Sequence, residues 1–428
     1  MATQFHRTVS SAGSDYKATF SAWVKRATPG VENFLLYAYY NSSNNHRLNF
    51  LNSDELHINI ITSASNSATI TTNRKFRDPN AWYHIVVAWD STQSTASDRI
   101  KIYVNGVQET SFSTANYPSQ NADMFFNKNT NGLYLGGQDG SNHFQGAMSH
   151  VYYVDGTAYS ASTFGSTDST TGEWQINTSP SVTYGTNGWL VFKDGNTYTD
   201  QSSNSNNLTL TGTAPTKTED CPSNVFCTMN PLSLDSNITL SKGNNQVDYS
   251  ASSKSAKGSL GFSSGKFYWE VKLSSVNNNY PMIGIGDMNK PEMQKPDQQG
   301  YPGGFANAYG IYGNGNVYAN DSNTGSQGFT YTTNDIIGVA VDLDSGTKTI
   351  KWFKNGSQIA TYNITNTAPF SAIDYSGGSS DQLQYNFGNG YFGTTAVSSA
   401  GTNASGNGIF EYDVPAGYTA LSTKGLNL

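Results

Sequence analysis

The sequence predicts an all-β protein built from two tandem antiparallel β-sandwiches. Two strand–turn–strand–turn–strand stretches and a composition poor in charge carry that prediction. In Asp335 to Tyr362, a β-branched run (Ile336 to Leu343) precedes an Asp344-Ser345-Gly346 turn. A second run with Ile350, Trp352 and Phe353 then meets Asn355-Gly356, a pair that tolerates the positive φ of a type I′ hairpin turn. Trp82 to Phe112 repeats the pattern, with runs Ile85 to Trp89 and Ile100 to Val104 and a reversal at Asn105-Gly106. Runs this short with a period of two are strands, not helices. Two such meanders in 428 residues exceed the needs of one domain of ~100–200 residues.

Charged residues are 13% of the chain and aromatics 13%, with 27 Tyr and 42 Gly; globular proteins usually carry ~25% charge. Polar, uncharged loops of this kind hydrogen-bond neutral partners, as do binding surfaces rich in Tyr, Ser, Gly and Asn. Turn-rich β proteins share the composition, so it does not by itself separate binding from architecture. The net charge of −7 comes without any basic block, which argues against nucleic acid as a partner. No apolar run approaches the ~20 residues of a bilayer span, so no membrane insertion is expected. The opening MATQFHRTVSSAGS lacks the charged start and apolar stretch of a secretory signal. The expectation is synthesis in a cytoplasm without general secretory export. Cys221 and Cys227 are close enough to close a small loop, but in a reducing compartment free thiols are expected. Zinc needs four ligands, and the six histidines are scattered.

In order, residues 15–26 read as a strand with Phe20, Ala22 and Val24 on one face. NFLLYAYY (33–40) is a second, followed by a polar tip at 41–47 and the strand LNFLN. LHINIIT and ATITT come next, and RDPNAW turns into the first meander. LYLGG and FQGAMSHVYYVDG give two more strands, and 159–183 is rich in turns. GWLVFKDG and, after DQSSNSNN, LTLTG end the first half.

Phe20-Ser-Ala-Trp23-Val-Lys, WYHIVVAWD, IKIYVNG, LYLGG and FQGAMSHVYYVDG, in this order, resemble a laminin G-like (LamG) jelly roll of the concanavalin A-like lectin/glucanase superfamily. GWLVFKDG with DQSSNSNNLTLTG resembles the strand and turn that usually open such a domain. Here they come last, which implies a circular permutation. The second half resembles a SPRY domain. It does so in Gly265-Lys-Phe-Tyr-Trp269-Glu-Val, Ile283-Gly-Ile-Gly286, Tyr309-Gly-Ile-Tyr312, Asn334-Asp-Ile-Ile-Gly338 and Ile350 to Gly356, with FEYDVPAGYTAL as a closing strand. These resemblances divide the chain into 1–212 (LamG-like), a linker at 213–227, and 228–428 (SPRY-like).

Glycoside hydrolysis needs two facing carboxyl groups, and no E-x-D-x-E pattern occurs. Asp342 with Asp344, and Asp54 with Glu55, read as solvated turn acids, and the SPRY resemblance makes Glu270 structural. No G-x-S-x-G elbow is present, and His84 reads as a half-buried strand residue, so no enzyme is expected. Loop oxygens hold calcium in many sandwiches of this kind, but Met148-Ser149-His150 stands where many LamG relatives have acids. Asp139, Asp155 and Asp194 each precede a Gly, and the Asp-Gly turn accounts for them. No cofactor is expected. Sugar binding uses an aromatic face plus amides and carboxylates. Tyr37 to His46 and the long connection Tyr280 to Tyr312 offer these groups, since long structured loops are often functional. Tyr309 and Tyr312 read as strand residues. The candidate ligand contacts are Tyr39, Tyr40, Asn44, His46, Tyr301 and Phe305, the last two expected to be exposed.

The pairing of LamG-like and SPRY-like domains resembles structural or fibre-type proteins of marine tailed bacteriophages. That implies a virion protein assembled in the host cytoplasm, whose partners are other virion proteins, copies of itself and a host-surface glycan or protein. The alternatives are an extracellular bacterial carbohydrate-binding protein and, further off, a glucanase.

Overall fold

A computed structural model of the chain describes residues 3–193, 195, 197–277, 281–294 and 300–427. The polypeptide divides into two compact units, Met1–Lys217 and Thr218–Leu428. The first unit opens with β1 (Gln4–Thr8), β2 (Lys17–Arg26), β3 (Asn33–Asn41), β4 (Asn44–Phe50), β5 (Glu55–Thr62) and β6 (Ser65–Lys75). β7 (Trp82–Asp90), β8 (Ile100–Val104), β9 (Val107–Gln108), β10 (Phe112–Asn116) and β11 (Gly132–Leu135) follow. β12 (Gly146–Asp155), β13 (Gly165–Thr167), β14 (Trp174–Ile176), β15 (Trp189–Val191) and β16 (Thr209–Thr211) complete it.

Eight strands form one sheet in the order β10-β6-β5-β4-β3-β11-β1-β16, and six form the other, β15-β12-β2-β7-β8-β9. Alternation sends Phe20, Ala22 and Val24 of β2, Ile85, Val87 and Trp89 of β7, and Leu36 and Ala38 of β3 into a common core. The late strands complete both sheets, β16 against β1 and β15 against β12. The β13–β14 hairpin belongs to a second, smaller core built on Val86, Tyr152, Phe164 and Leu190, with Trp174 against it. That cover explains why β2 and β7 are buried on both faces.

The second unit contains β17 (Ile238–Ser241), β18 (Gln246–Tyr249), β19 (Lys266–Ser275), β20 (Met282–Asp287), β21 (Tyr309–Tyr312) and β22 (Asn316–Ala319). β23 (Ser322–Ser326), β24 (Ile336–Asp342), β25 (Thr349–Lys354), β26 (Ser357–Asn363), β27 (Phe370–Tyr375) and β28 (Gln382–Asn386) continue it. β29 (Tyr391–Phe392), β30 (Thr395–Ala396) and β31 (Thr419–Ala420) are short. One sheet runs β17-β18-β28-β19-β24-β25-β26, with β31 parallel to β19, and the facing sheet runs β23-β22-β21-β20-β27. Trp269, Val339, Trp352, Ile283, Ile311 and Tyr385 lie in the shared core.

Both expected turns are of the mirror-image type, with φ +47° and +81° at Asn105-Gly106 and +49° and +82° at Asn355-Gly356. The stretch expected as a polar tip is shorter than 41–47, because Asn44–Phe50 is strand. Phe226 and Cys227 belong to the second core, so that core begins inside the linker expected at 213–227. Cys221 and Cys227 are free thiols. Asp54 is not a solvated turn acid. It is buried, bonded to Arg26 at 3.0 Å and Arg77 at 2.9 Å, while Glu55 pairs with Lys75. Among the described residues no helix is long and apolar enough to cross a membrane.

Candidate ligand-binding face

Where core residues of β3 point inward, Tyr37 and Tyr39 point to the other side of the eight-stranded sheet. Strand pairing extends this into a row. Tyr37 lies opposite Tyr134 of β11 and Arg47 of β4. Tyr134 faces His6 of β1, and His6 faces Thr209 of β16. In the other direction Arg47 faces Asn59 of β5, which faces Thr69 of β6. His6 and Tyr134 stack at 5.9 Å with 25° between planes, and Tyr37 stands 5.9 Å from Tyr134 and 5.8 Å from Tyr39. Gly132 makes room for this. A Cβ there would come within 2.6 Å of the Tyr134 ring, so the missing side chain lets the ring lie over β11.

Tyr37 is 4% exposed and backs the row, while His6, Tyr39, Tyr134 and Arg47 are half-buried. Burial, then the Asp139 carboxylate, pushes the Tyr134 hydroxyl up to about 12. Burial also raises Tyr37, against a hydrogen bond with Gln138. Both phenols are therefore neutral. Arg47 Nε donates to Asn45 Oδ1 at 3.1 Å, Asn49 Nδ2 to Glu32 at 2.9 Å, and Asn59 Nδ2 to Thr69 Oγ1 at 3.2 Å. Burial and then Arg47 lower the pKa of His57, which sits 2.9 Å from Thr71 Oγ1. The half-buried Tyr39, Tyr134 and His6 rings offer apolar contact for sugar faces and the Arg47 guanidinium directed hydrogen bonds for hydroxyls, while the amides of Asn45, Asn49 and Asn59 lie buried beneath them.

The residues expected as ligand contacts are not brought together. Tyr39 joins the row. Tyr40 is 45% exposed on the other side of β3 and stacks on Phe125 at 6.4 Å. Asn44 is spent on turns, donating to Asn41 and accepting from the Ser63 N–H, both at 3.0 Å. His46 is a core residue, 1% exposed, with its ring 4.2 Å from Phe126 and 5.2 Å from Trp89. Burial drives its pKa to about 3, so it is neutral. Sequence reading missed Tyr134 and His6, whose place depends on strand order and not on local pattern.

In the second unit, Tyr301 and Phe305 are not exposed contacts. The connection after β20 folds back onto the outer side of the five-stranded sheet, where Gly284, Gly286 and Gly310 alternate with the inward Ile283, Ile285 and Ile311. A Cβ on Gly310 would come within 2.4 Å of Pro302, and one on Gly286 within 2.8 Å of Met293 and Phe305. Phe305 is buried with Met293, Ala308 and Ile373. Tyr301 is half-buried, edge-on to Tyr318 at 5.9 Å and Tyr375 at 5.6 Å. Tyr309 and Tyr312 are strand residues, as expected. Tyr280 and residues 295–299 of this connection lie outside the described residues.

Other polar clusters are internally satisfied. The Asp155 carboxylate accepts from Ser14 N, Asn127 Nδ2, Asn187 N and Asn187 Nδ2 at 2.8–3.2 Å. Asp139 takes up a turn at φ +42°; Asp194 lies outside the described residues. Asp342 accepts from Asp344 N, Ser345 N and Ser345 Oγ and pairs with Lys266 at 3.0 Å. Glu270 is buried and accepts from Glu411 N, Tyr412 N, Tyr268 and Asn386. Among the described residues no group of three His, Cys, Asp or Glu is arranged to hold a metal.

His84 is 1% exposed, not half-buried, and its ring lies 4.9 Å from the Trp23 ring. Its Nε2 is 2.9 Å from Ser21 Oγ, and its Nδ1 accepts from Trp174 Nε1 at 2.9 Å. An indole N–H can only donate. The imidazole proton therefore sits on Nε2 and is donated to Ser21, so this Ser–His pair holds the sheet and its covering hairpin together instead of activating a hydroxyl.

Each unit is thus an antiparallel sandwich, and the first presents a ring-lined sheet face. Residues 3–162 match the model of the concanavalin A-like lectin/glucanases superfamily, and residues 266–390 match that of the SPRY domain. The chain thus carries an N-terminal concanavalin A-like domain and a C-terminal SPRY domain, which together suggest a ligand- or protein-binding role. Similar solved structures include the TRIM65 PSpry domain, at 15% identity over 37% of this chain and 88% of that one, TM-score 0.31. The SPRY domain of human HERC1 is 17% identical over 37% of this chain and 96% of that one, TM-score 0.30. Stonustoxin is 18% identical over 39% of this chain and 27% of its own, TM-score 0.29. No curated protein sequence matches the chain.

Proposed function

We propose that this protein is a non-catalytic component of a bacteriophage particle, of the fibre or decoration type. Its concanavalin A-like domain recognises a host-surface glycan through the outer face of the eight-stranded sheet. Its SPRY domain holds a protein partner, either another virion protein or a second copy of the chain. The observation that carries the glycan reading is the ring row His6, Tyr134, Tyr37 and Tyr39 beside Arg47 and the amides of Asn45, Asn49 and Asn59. The particle setting is supported by the pairing of the two domain types in a chain with 13% charged residues and abundant Tyr and Gly.

The full chain on an array of bacterial surface glycans tests the first part. Binding that is weakened in Tyr134→Ala is expected, and an array without any bound glycan contradicts the reading. Mass spectrometry of purified particles tests the setting, which fails if the chain is missing from them.

A further inference from the structure

Arg47 stands near the middle of the ring row, between Tyr37 and Asn59. Its Nε is engaged by Asn45, yet unlike Arg26, Arg74 and Arg77 it forms no ion pair among the described residues. The carboxylates at the margin of the face are already in use. Glu32 accepts the amides of Asn49 and Asn142, and the Asp139 carboxylate lies near enough to raise the Tyr134 pKa. A chain of net charge −7 has many acids from which a partner could be drawn, and a half-buried guanidinium lacking one is poorly stabilised. Its planar fork matches a carboxylate through two parallel hydrogen bonds. Two residues along β4, Asn49 is 1% exposed and its Oδ1 has no hydrogen-bond partner among the described residues.

We propose that this face selects an acidic saccharide chain, with Arg47 gripping the carboxylate of a uronate-type sugar while Tyr39, Tyr134 and His6 carry adjacent rings. The inference rests on the glycan-binding reading and narrows it. The row from Thr209 to Thr69 crosses seven neighbouring strands, about 29 Å at the usual ~4.8 Å strand spacing. That length suits several linked sugars better than one terminal residue. Arg47 is then a specificity residue, and the tyrosines supply affinity common to neutral and acidic chains.

The test titrates the full chain with polygalacturonate, alginate and hyaluronate, each beside its carboxyl-reduced twin. At least one acidic polymer is expected to bind tenfold or more tightly than its twin. Arg47→Gln should erase that preference by weakening the acidic form far more than the reduced one, Arg47→Lys should retain part of it, and Tyr134→Ala should weaken both forms. Equal binding within every pair, or a preference that survives Arg47→Gln, overturns the proposal. If array glycans bind without any acidic preference, the inference falls and the glycan reading stands; if nothing binds, both fall.

Discussion

Asp54 holds a left-handed backbone conformation at φ +77° and joins segments far apart in sequence. Its carboxylate receives the Gly30 N–H at 2.6 Å, Arg26 at 3.0 Å and Arg77 at 2.9 Å. Burial acts to raise its pKa, but these donors outweigh it and the net shift is downward. Arg26 is fully buried, so Asp54→Ala strands a cation in the core. Such losses run to 3–5 kcal/mol, and urea unfolding should register a drop of about 3 kcal/mol. A change under about 1 kcal/mol would mean the pair is solvated. The local sequence Asn-Ser-Asp-Glu looks like any surface turn, and the partner that decides its role lies 28 positions away. Gly132 is the residue-scale counterpart in the candidate site. Gly132→Val should push the Tyr134 ring off β11, lowering glycan affinity at least as much as Tyr134→Ala. Unchanged affinity would show that ring placement does not matter.

At the scale of elements, hairpins were legible because their cause is local. Asn-Gly turns and alternating apolar residues depend on neighbours in sequence, and both meanders form where the pattern places them. The long connection before β21 misled for the opposite reason. Its length and aromatic residues resemble an exposed binding loop, but the Ile-Gly-Ile-Gly run of β20 turns glycine outward and leaves a floor that Phe305, Met293 and Pro302 cover. Phe305→Ala removes that anchor. Buried Phe→Ala changes are worth ~3–5 kcal/mol, and the loss should appear as faster proteolysis around the connection while β20 and β21 stay protected. Equal cleavage rates in the two proteins would mean that Phe305 does not hold it. The candidate face was only half legible. Tyr39 was visible in its strand, but its neighbours Tyr134 and His6 come from strands distant in sequence, and nothing local reports that β11 separates β1 from β3.

For the whole molecule, each unit has its own core, and the second contains buried acids that titrate unusually. Asp374 is fully buried; burial pushes its pKa up to about 6, against the hydroxyls of Tyr249 and Tyr385 and the Ala256 N–H. Burial takes Glu270 up to about 7 against its four donors. A raised folded pKa means the folded state takes up protons first, so stability grows as pH falls from 8 through these values and levels off near the unfolded ~4. Cys227 reports on this core, being fully buried in it. The urea concentration that exposes its thiol should be higher at pH 5.5 than at pH 8, by a stability gain on the order of 2 kcal/mol. A lower midpoint at pH 5.5 would show the acids ionised and well paired in the fold.

Under the proposed function, ligand recognition belongs to the outer face of the eight-stranded sheet. Hydroxyl-radical footprinting of the full chain, with and without a glycan found on the array, addresses it directly. The expected result is protection of Tyr134, Tyr39 and His6, with Tyr301, Tyr312, Tyr318 and Tyr375 unchanged. Protection confined to those four tyrosines of the second unit would contradict it.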